Sequence, residues 1–192
     1  NLISNMESVM QNLGNSWYFW LFWGLAFLGF PLAGVLANLI SAVTTPGQAI
    51  LTGSIAGATI GIVQWFVLRS RLPFLPIWWI VATSIGMALG LSLSTAFLGT
   101  ETAGKELLWR AVITGLCIGI AQWIVLRAVL PQSVIWIGIV GLGWVIGWFI
   151  TRSIGVDLSY KWAVFGSAGA LTFQFMTGMA LYFLLRSVPK VM

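Results

Sequence analysis

Long apolar stretches alternate along this chain with short polar breaks. A hydrocarbon core about 30 Å thick takes roughly 20 apolar residues per helix. Six stretches reach that length, near 17–43, 47–69, 74–98, 107–129, 132–153 and 163–186. Helix-breaking residues mark the gaps: Pro46-Gly47, Pro73 with Pro76, Gly99 to Lys105, Pro131, Gly155 to Lys161, and Pro189. Backbone groups in lipid must bond within their own segment, and the runs are too long for barrel strands, so the pattern predicts helices. Residues 1–15 differ. Leu2, Ile3, Met6, Val9, Met10 and Leu13 recur at helical spacing among Asn5, Glu7, Ser8, Gln11 and Asn12. Too short to span, this segment is predicted to lie as an amphipathic helix at the membrane interface.

The apolar stretches repeat. Residues 53–73 and 111–131 are identical at twelve of 21 positions, at an offset of 58. The shared frame is Gly57/Gly115, Gly61/Gly119, Gln64/Gln122, Trp65/Trp123, Arg69/Arg127 and Pro73/Pro131. A third, worn copy follows at an offset of 59, with Gly178, Tyr182 and Arg186 in register and Leu181 where the Gln stood. The odd stretches repeat more faintly, as Trp20, Trp78 and Trp136. The unit is thus a helix pair, and each copy enters the membrane in the same orientation. The expected fold is all-α: an integral membrane six-helix bundle of three parallel-repeated hairpins, preceded by the short interfacial helix. Its units are about 17–73, 74–131 and 132–192, within one transmembrane domain over 16–192.

The recurrent residues suggest structural jobs. Gly53, Gly57 and Gly61 make overlapping small-xxx-small steps, and Gly86–Gly90, Gly115–Gly119 and Gly143–Gly147 repeat the device. Lipid tails supply no hydrophobic drive between helices, so close backbone approach at small residues is what accumulates dispersion contacts. Gln64 and Gln122 lie one turn beyond these glycines and are candidates for a polar latch, with Gln174 a third amide; a ligand or pore role is the alternative. Trp65–Arg69, Trp123–Arg127 and Tyr182–Arg186 stand four apart, a spacing that lets a guanidinium meet a ring at the membrane boundary. Pro31 interrupts the first stretch and frees the carbonyl near Phe27, which predicts a kink.

Composition narrows the class. Hydrophobic residues make up 59% and charged ones only 7%, against roughly 25% in soluble domains. That excludes a soluble globular fold and a disordered chain, and the lone Cys117 excludes a disulfide scaffold. There is no His, hence neither the commonest general acid/base nor the commonest metal ligand. Glu7, Glu101, Glu106 and Asp157 all lie outside the predicted spans, which excludes paired-carboxylate chemistry inside the membrane. Cys117, between Leu116 and Ile118, reads as a small buried filler. No metal cluster, phosphate loop or nucleophile elbow is present, so no enzyme is expected.

The net charge of +5 is scattered over loops, which excludes a nucleic-acid site. Arg69, Arg71, Arg127, Arg186 and Lys190 follow even stretches, against Lys105, Arg110, Arg152 and Lys161 on the other side. That balance leans slightly to both termini in the cytoplasm.

The string Gly-x3-Gly-x2-Gln-Trp-x-Val-Leu-Arg, followed by a Pro and a Trp-opened helix, resembles a set of small polytopic membrane proteins from cyanobacteria and other bacteria. The resemblance covers about residues 53–150. It implies the repeated helix pair and a bacterial inner or thylakoid membrane, and brings no activity with it. Three functions then compete. The first is a non-catalytic accessory subunit of a larger membrane complex, energy-transducing or photosynthetic, whose 12 Trp and 12 Phe face lipid, pigment or neighbouring helices. No cofactor is required; bound lipid is expected, with chlorophyll or carotenoid a remoter option in which Gln oxygen ligates magnesium. The second is a small transporter or channel lined by Gln64, Gln122, Gln174, Ser84, Thr114 and Asn38, which the missing intramembrane charge counts against. The third is a dedicated pigment carrier.

Overall fold

The computed structural model describes residues 17–70, 72, 75–100, 104–158 and 162–186; the predicted interfacial helix over 1–15 lies outside them. Six helices are long and apolar enough to cross a membrane: α1 Trp17–Ile40, α2 Pro46–Leu68, α3 Trp78–Leu98, α4 Gly104–Leu126, α5 Ile135–Ser153 and α6 Ser167–Arg186. Their ends follow from local chemistry. Thr45 caps α2 by accepting the Gln48 N–H at 3.2 Å, with Pro46 in the first turn, where its missing N–H costs nothing. α3 ends on Gly99, whose φ of +69° is a left-handed value that glycine adopts without strain. Pro31 cannot donate to the Phe27 carbonyl. One 3₁₀ turn, Ala26–Leu28, forms there inside α1, and the Gly29 N–H reaches the Ala26 and Phe27 carbonyls instead.

Span boundaries shift by three or four residues at several helices: α1 ends at Ile40 rather than near 43, α3 opens at Trp78 rather than near 74, and α5 opens at Ile135 rather than near 132. α6 opens at Ser167 rather than near 163, because Ala163, Val164 and Phe165 fold as a buried non-helical segment. Phe165 stacks on Phe30 with centroids 5.1 Å apart and meets Trp144 edge-on at 4.7 Å. The Gly166 N–H is satisfied by Thr151 Oγ1 at 3.0 Å. α4 runs from Gly104 to Leu126 instead of 107–129, its last turn unwinding where the Leu130 N–H returns to the Leu126 carbonyl.

Each helix packs against its neighbours in the chain, and α6 returns to α1, so the six form a closed up-and-down ring. The glycines show the register. An added Cβ would meet Ala88 from Gly53, Ser84 from Gly57 and Ile80 from Gly61, so α2 and α3 run antiparallel. Gly86 and Gly90 receive Ile118 and Thr114 of α4, while Gly115 and Gly119 receive Trp144 and Ile137 of α5. Gly143 lies under the Phe173 ring, Gly147 against Phe165, and Gly178 against Trp23. The glycines of the repeated motif therefore face the next hairpin rather than their own partner. Those of α2 close on α3, those of α4 on α5, and Gly178 of α6 on α1.

The ring has no open lumen. Phe30, Met87, Trp144 and Phe173 point inward from α1, α3, α5 and α6, and all four are essentially inaccessible. Lipid-facing positions carry Phe97, Phe175, Phe183, Trp78, Trp109 and other large apolar side chains.

Candidate functional site: the buried amide cluster

Gln64, Gln122 and Gln174 project from α2, α4 and α6 to the same place, each at 2% exposure or less. The Trp136 indole N–H of α5 donates to Gln122 Oε1 at 3.0 Å. Gln122 Nε2 spends its two hydrogens on Gln64 Oε1, at 3.3 Å, and on Thr83 Oγ1 of α3, at 3.0 Å. Thr83 in turn donates to the Trp79 carbonyl at 2.8 Å. Gln64 Nε2 donates to Gln174 Oε1 at 3.3 Å. Gln174 Nε2 reaches the Trp23 carbonyl of α1 at 2.9 Å, and the Trp23 indole answers to the Gln174 carbonyl at 2.9 Å. One hydrogen-bonded chain thus touches all six helices.

The centre of this cluster leaves a cavity of about 10 Å³, lined by the Gln64, Thr83, Gln122 and Trp144 side chains among others. Such a space holds one water at most. A carboxamide left alone in hydrocarbon costs several kcal/mol, on the order of 2–7 by transfer measurements, so mutual bonding is the stable arrangement. The cluster contains no titratable group and no cationic charge.

Several residues named from sequence lie elsewhere. Ser84 bonds the Ser54 carbonyl at 2.8 Å in the α2–α3 seam, and Thr114 is buried against Gly90 in the α3–α4 seam. Asn38 is half-buried near the end of α1. None of the three joins the amides. Cys117 is half-buried rather than fully enclosed.

The faint tryptophan repeat also needs correction. Trp78 is 63% exposed, whereas Trp79, Trp136 and Trp23 are the inward-facing set. At 100° per residue, a one-residue slip turns a side chain from the core toward lipid. Trp79 and Trp136 meet at a tilt of 59° with centroids 6.0 Å apart, but the Trp79 indole N–H has no partner.

At the membrane boundary, Arg69 lies 5.0 Å from the Trp65 ring, Arg127 5.0 Å from Trp123, and Arg186 4.3 Å from Tyr182. All three pairs sit at the same end of the bundle, because all three follow even-numbered helices of an alternating ring.

Sequence reasoning missed two contributors. Thr83 completes the amide cluster, and it looked like one more small helix residue. Arg110 is only 4% exposed in the second turn of α4, where Nη2 donates to the Gly99 carbonyl at 2.5 Å. A cation is therefore buried within a span, close to its end, where it holds the turn that leaves α3. Its neighbour Arg152 ties the end of α5 to the Gly104 carbonyl at 3.0 Å. No group of three or more metal-ligating side chains occurs among the described residues.

No family model, curated protein or solved structure matches this chain.

Proposed function

We propose that this protein is a non-catalytic structural subunit that packs within a larger integral membrane assembly. The observation that carries this reading is the amide cluster. It uses the polar groups of the core to fasten the six helices to one another and leaves about 10 Å³ between them. A conduit would need those groups facing a continuous water-filled path. Surplus chemistry lies outside: large aromatic side chains such as Phe97, Trp109, Phe149 and Phe175 face outward, each more than half exposed. Such rings suit lipid and neighbouring helices alike.

The test is isolation from the native membrane in mild detergent, followed by native electrophoresis and peptide identification. Stoichiometric co-migration with larger membrane subunits is expected. Recovery only as a free monomer overturns the reading. A liposome flux assay of the wild type beside a Gln64→Leu/Gln122→Leu double variant is expected to give background flux in both; flux abolished by the double variant would establish a transporter instead.

A further inference from the structure

Glycines bring backbones together at the four consecutive seams from α2–α3 to α5–α6, whereas the α6–α1 seam meets at Gly178 and gapes beside it. Between α1 and α6 lies a groove of about 720 Å³, walled by Trp20, Trp23, Phe175, Gly178, Met179 and Tyr182. Its lining is almost wholly apolar. Gly24 forms part of one wall, and a Cβ there would meet nothing within 4 Å. On α6 the lining runs from Leu171 to Tyr182, about 16 Å at 1.5 Å per residue. Half of a 30 Å hydrocarbon core is about 15 Å. The groove is therefore about as long as one leaflet is thick, and it begins one turn inside Arg186.

Its boundary end is cationic. Arg186 follows Tyr182 by one turn and lies over its ring at 4.3 Å, and Trp20 closes on Tyr182 from α1 at 5.6 Å. Arg69 and Arg127 share this end of the bundle. The two carboxylates among the described residues, Glu106 in the first turn of α4 and Asp157 after α5, belong to the opposite end.

We propose that the α1–α6 groove is a binding site for an anionic glycerophospholipid of that leaflet. One acyl chain lies along Trp20, Gly24, Phe175 and Met179, and the phosphate is held by Arg186. Volume and depth fit a chain, and the charge at the mouth selects the headgroup. The deep end reaches Gln174 and Trp23, so the lipid packs against the two residues that join α6 to α1. The site belongs to the chain itself and stands whether or not the protein enters an assembly.

The test uses the full chain in nanodiscs of equal dioleoyl phosphatidylglycerol and dioleoyl phosphatidylcholine, read by native mass spectrometry after release. The wild type is expected to retain one phosphatidylglycerol in preference to phosphatidylcholine. One guanidinium near an anionic surface supports a selectivity of about fivefold, which Arg186→Gln should abolish and Arg69→Gln should leave intact. Gly24→Phe, which fills open space, should expel the retained lipid of either kind without unfolding the bundle. A phosphatidylglycerol probe with a mid-chain diazirine should label the peptides that carry Gly24 and Met179. Equal retention of both lipids by the wild type, or unchanged selectivity in Arg186→Gln, overturns the proposal. So does a groove that the probe never labels because residues 1–16 or a co-purified helix fill it.

Discussion

The α2–α3 seam and the α6–α1 seam join helices in the same antiparallel sense, yet they are built by different means. In the first, Gly53, Gly57 and Gly61 bring backbone against backbone: a Cβ at Gly57 would lie 2.6 Å from the Thr83 carbonyl oxygen. In the second, Gly178 alone of the repeated glycines makes close contact, with the Trp23 ring, and the joint is completed by the paired Trp23–Gln174 hydrogen bonds. One seam is held by dispersion along its length, the other by a polar clasp at one depth with a groove beside it. Close packing tolerates no added volume, whereas a clasp tolerates volume and fails when its partner is removed.

Substitutions can break that contrast. The largest effect is expected from Gly57→Leu, which forces a side chain into α3 backbone; overpacking costs about 1–3 kcal/mol and more where backbone is struck, so loss of a monodisperse peak on fluorescence-detected size exclusion is expected. Gly24→Leu in the loose seam should leave that profile unchanged, and equal damage from both would erase the distinction. Next comes Trp79→Ala, expected to lose about 3–5 kcal/mol by thermal unfolding in detergent. Trp78→Ala should change it by less than about 0.5 kcal/mol, since that ring faces lipid. Gln122→Leu should cost roughly 1–2 kcal/mol, near the upper end for hydrogen bonds between membrane helices. Combined with Gln64→Leu it should cost less than the sum of the two single changes, because the two amides share a bond; strict additivity would mean the cluster does not act as a unit. Arg69→Gln should change stability by no more than about 1 kcal/mol, since a guanidinium beside a half-buried ring contributes little at a wet boundary.

The regions that repeat well were legible, and those that diverge were not. The six spans follow from apolar length alone. The glycine faces and the Gln64–Gln122 contact follow from the duplicated motif of residues 53–73 and 111–131, since a repeat places equal side chains on equal faces. Gln174 joins them by another route. In the worn copy it occupies the place of Gly115, while Leu181 holds the place of Gln122. Seven residues separate these positions, about 10 Å along a helix. Spacing within a motif reports rotation about the helix, but it does not report how far a diverged helix slides against its neighbours. The one-residue slip at Trp78 and Trp79 has the same origin: the odd helices share too few identities to fix their register. Arg110 was illegible for a different reason. It falls inside the 107–129 stretch, where the sequence offers it no partner, and only the fold shows that the Gly99 carbonyl, left over at the end of α3, draws it inside.

The clasp also dictates an order of assembly. Trp23 and Gln174 are 151 residues apart, whereas each of the other five seams joins helices consecutive in the chain. During synthesis α1 is threaded into the bilayer long before α6 exists, so the Trp23 carbonyl and indole wait without their final partner. The local hairpins can form one after another as they emerge, and only the last helix circularises the barrel. A chain truncated before α6 would therefore remain an open crescent with its polar rim in oil, the kind of intermediate that membrane quality-control proteases recognise.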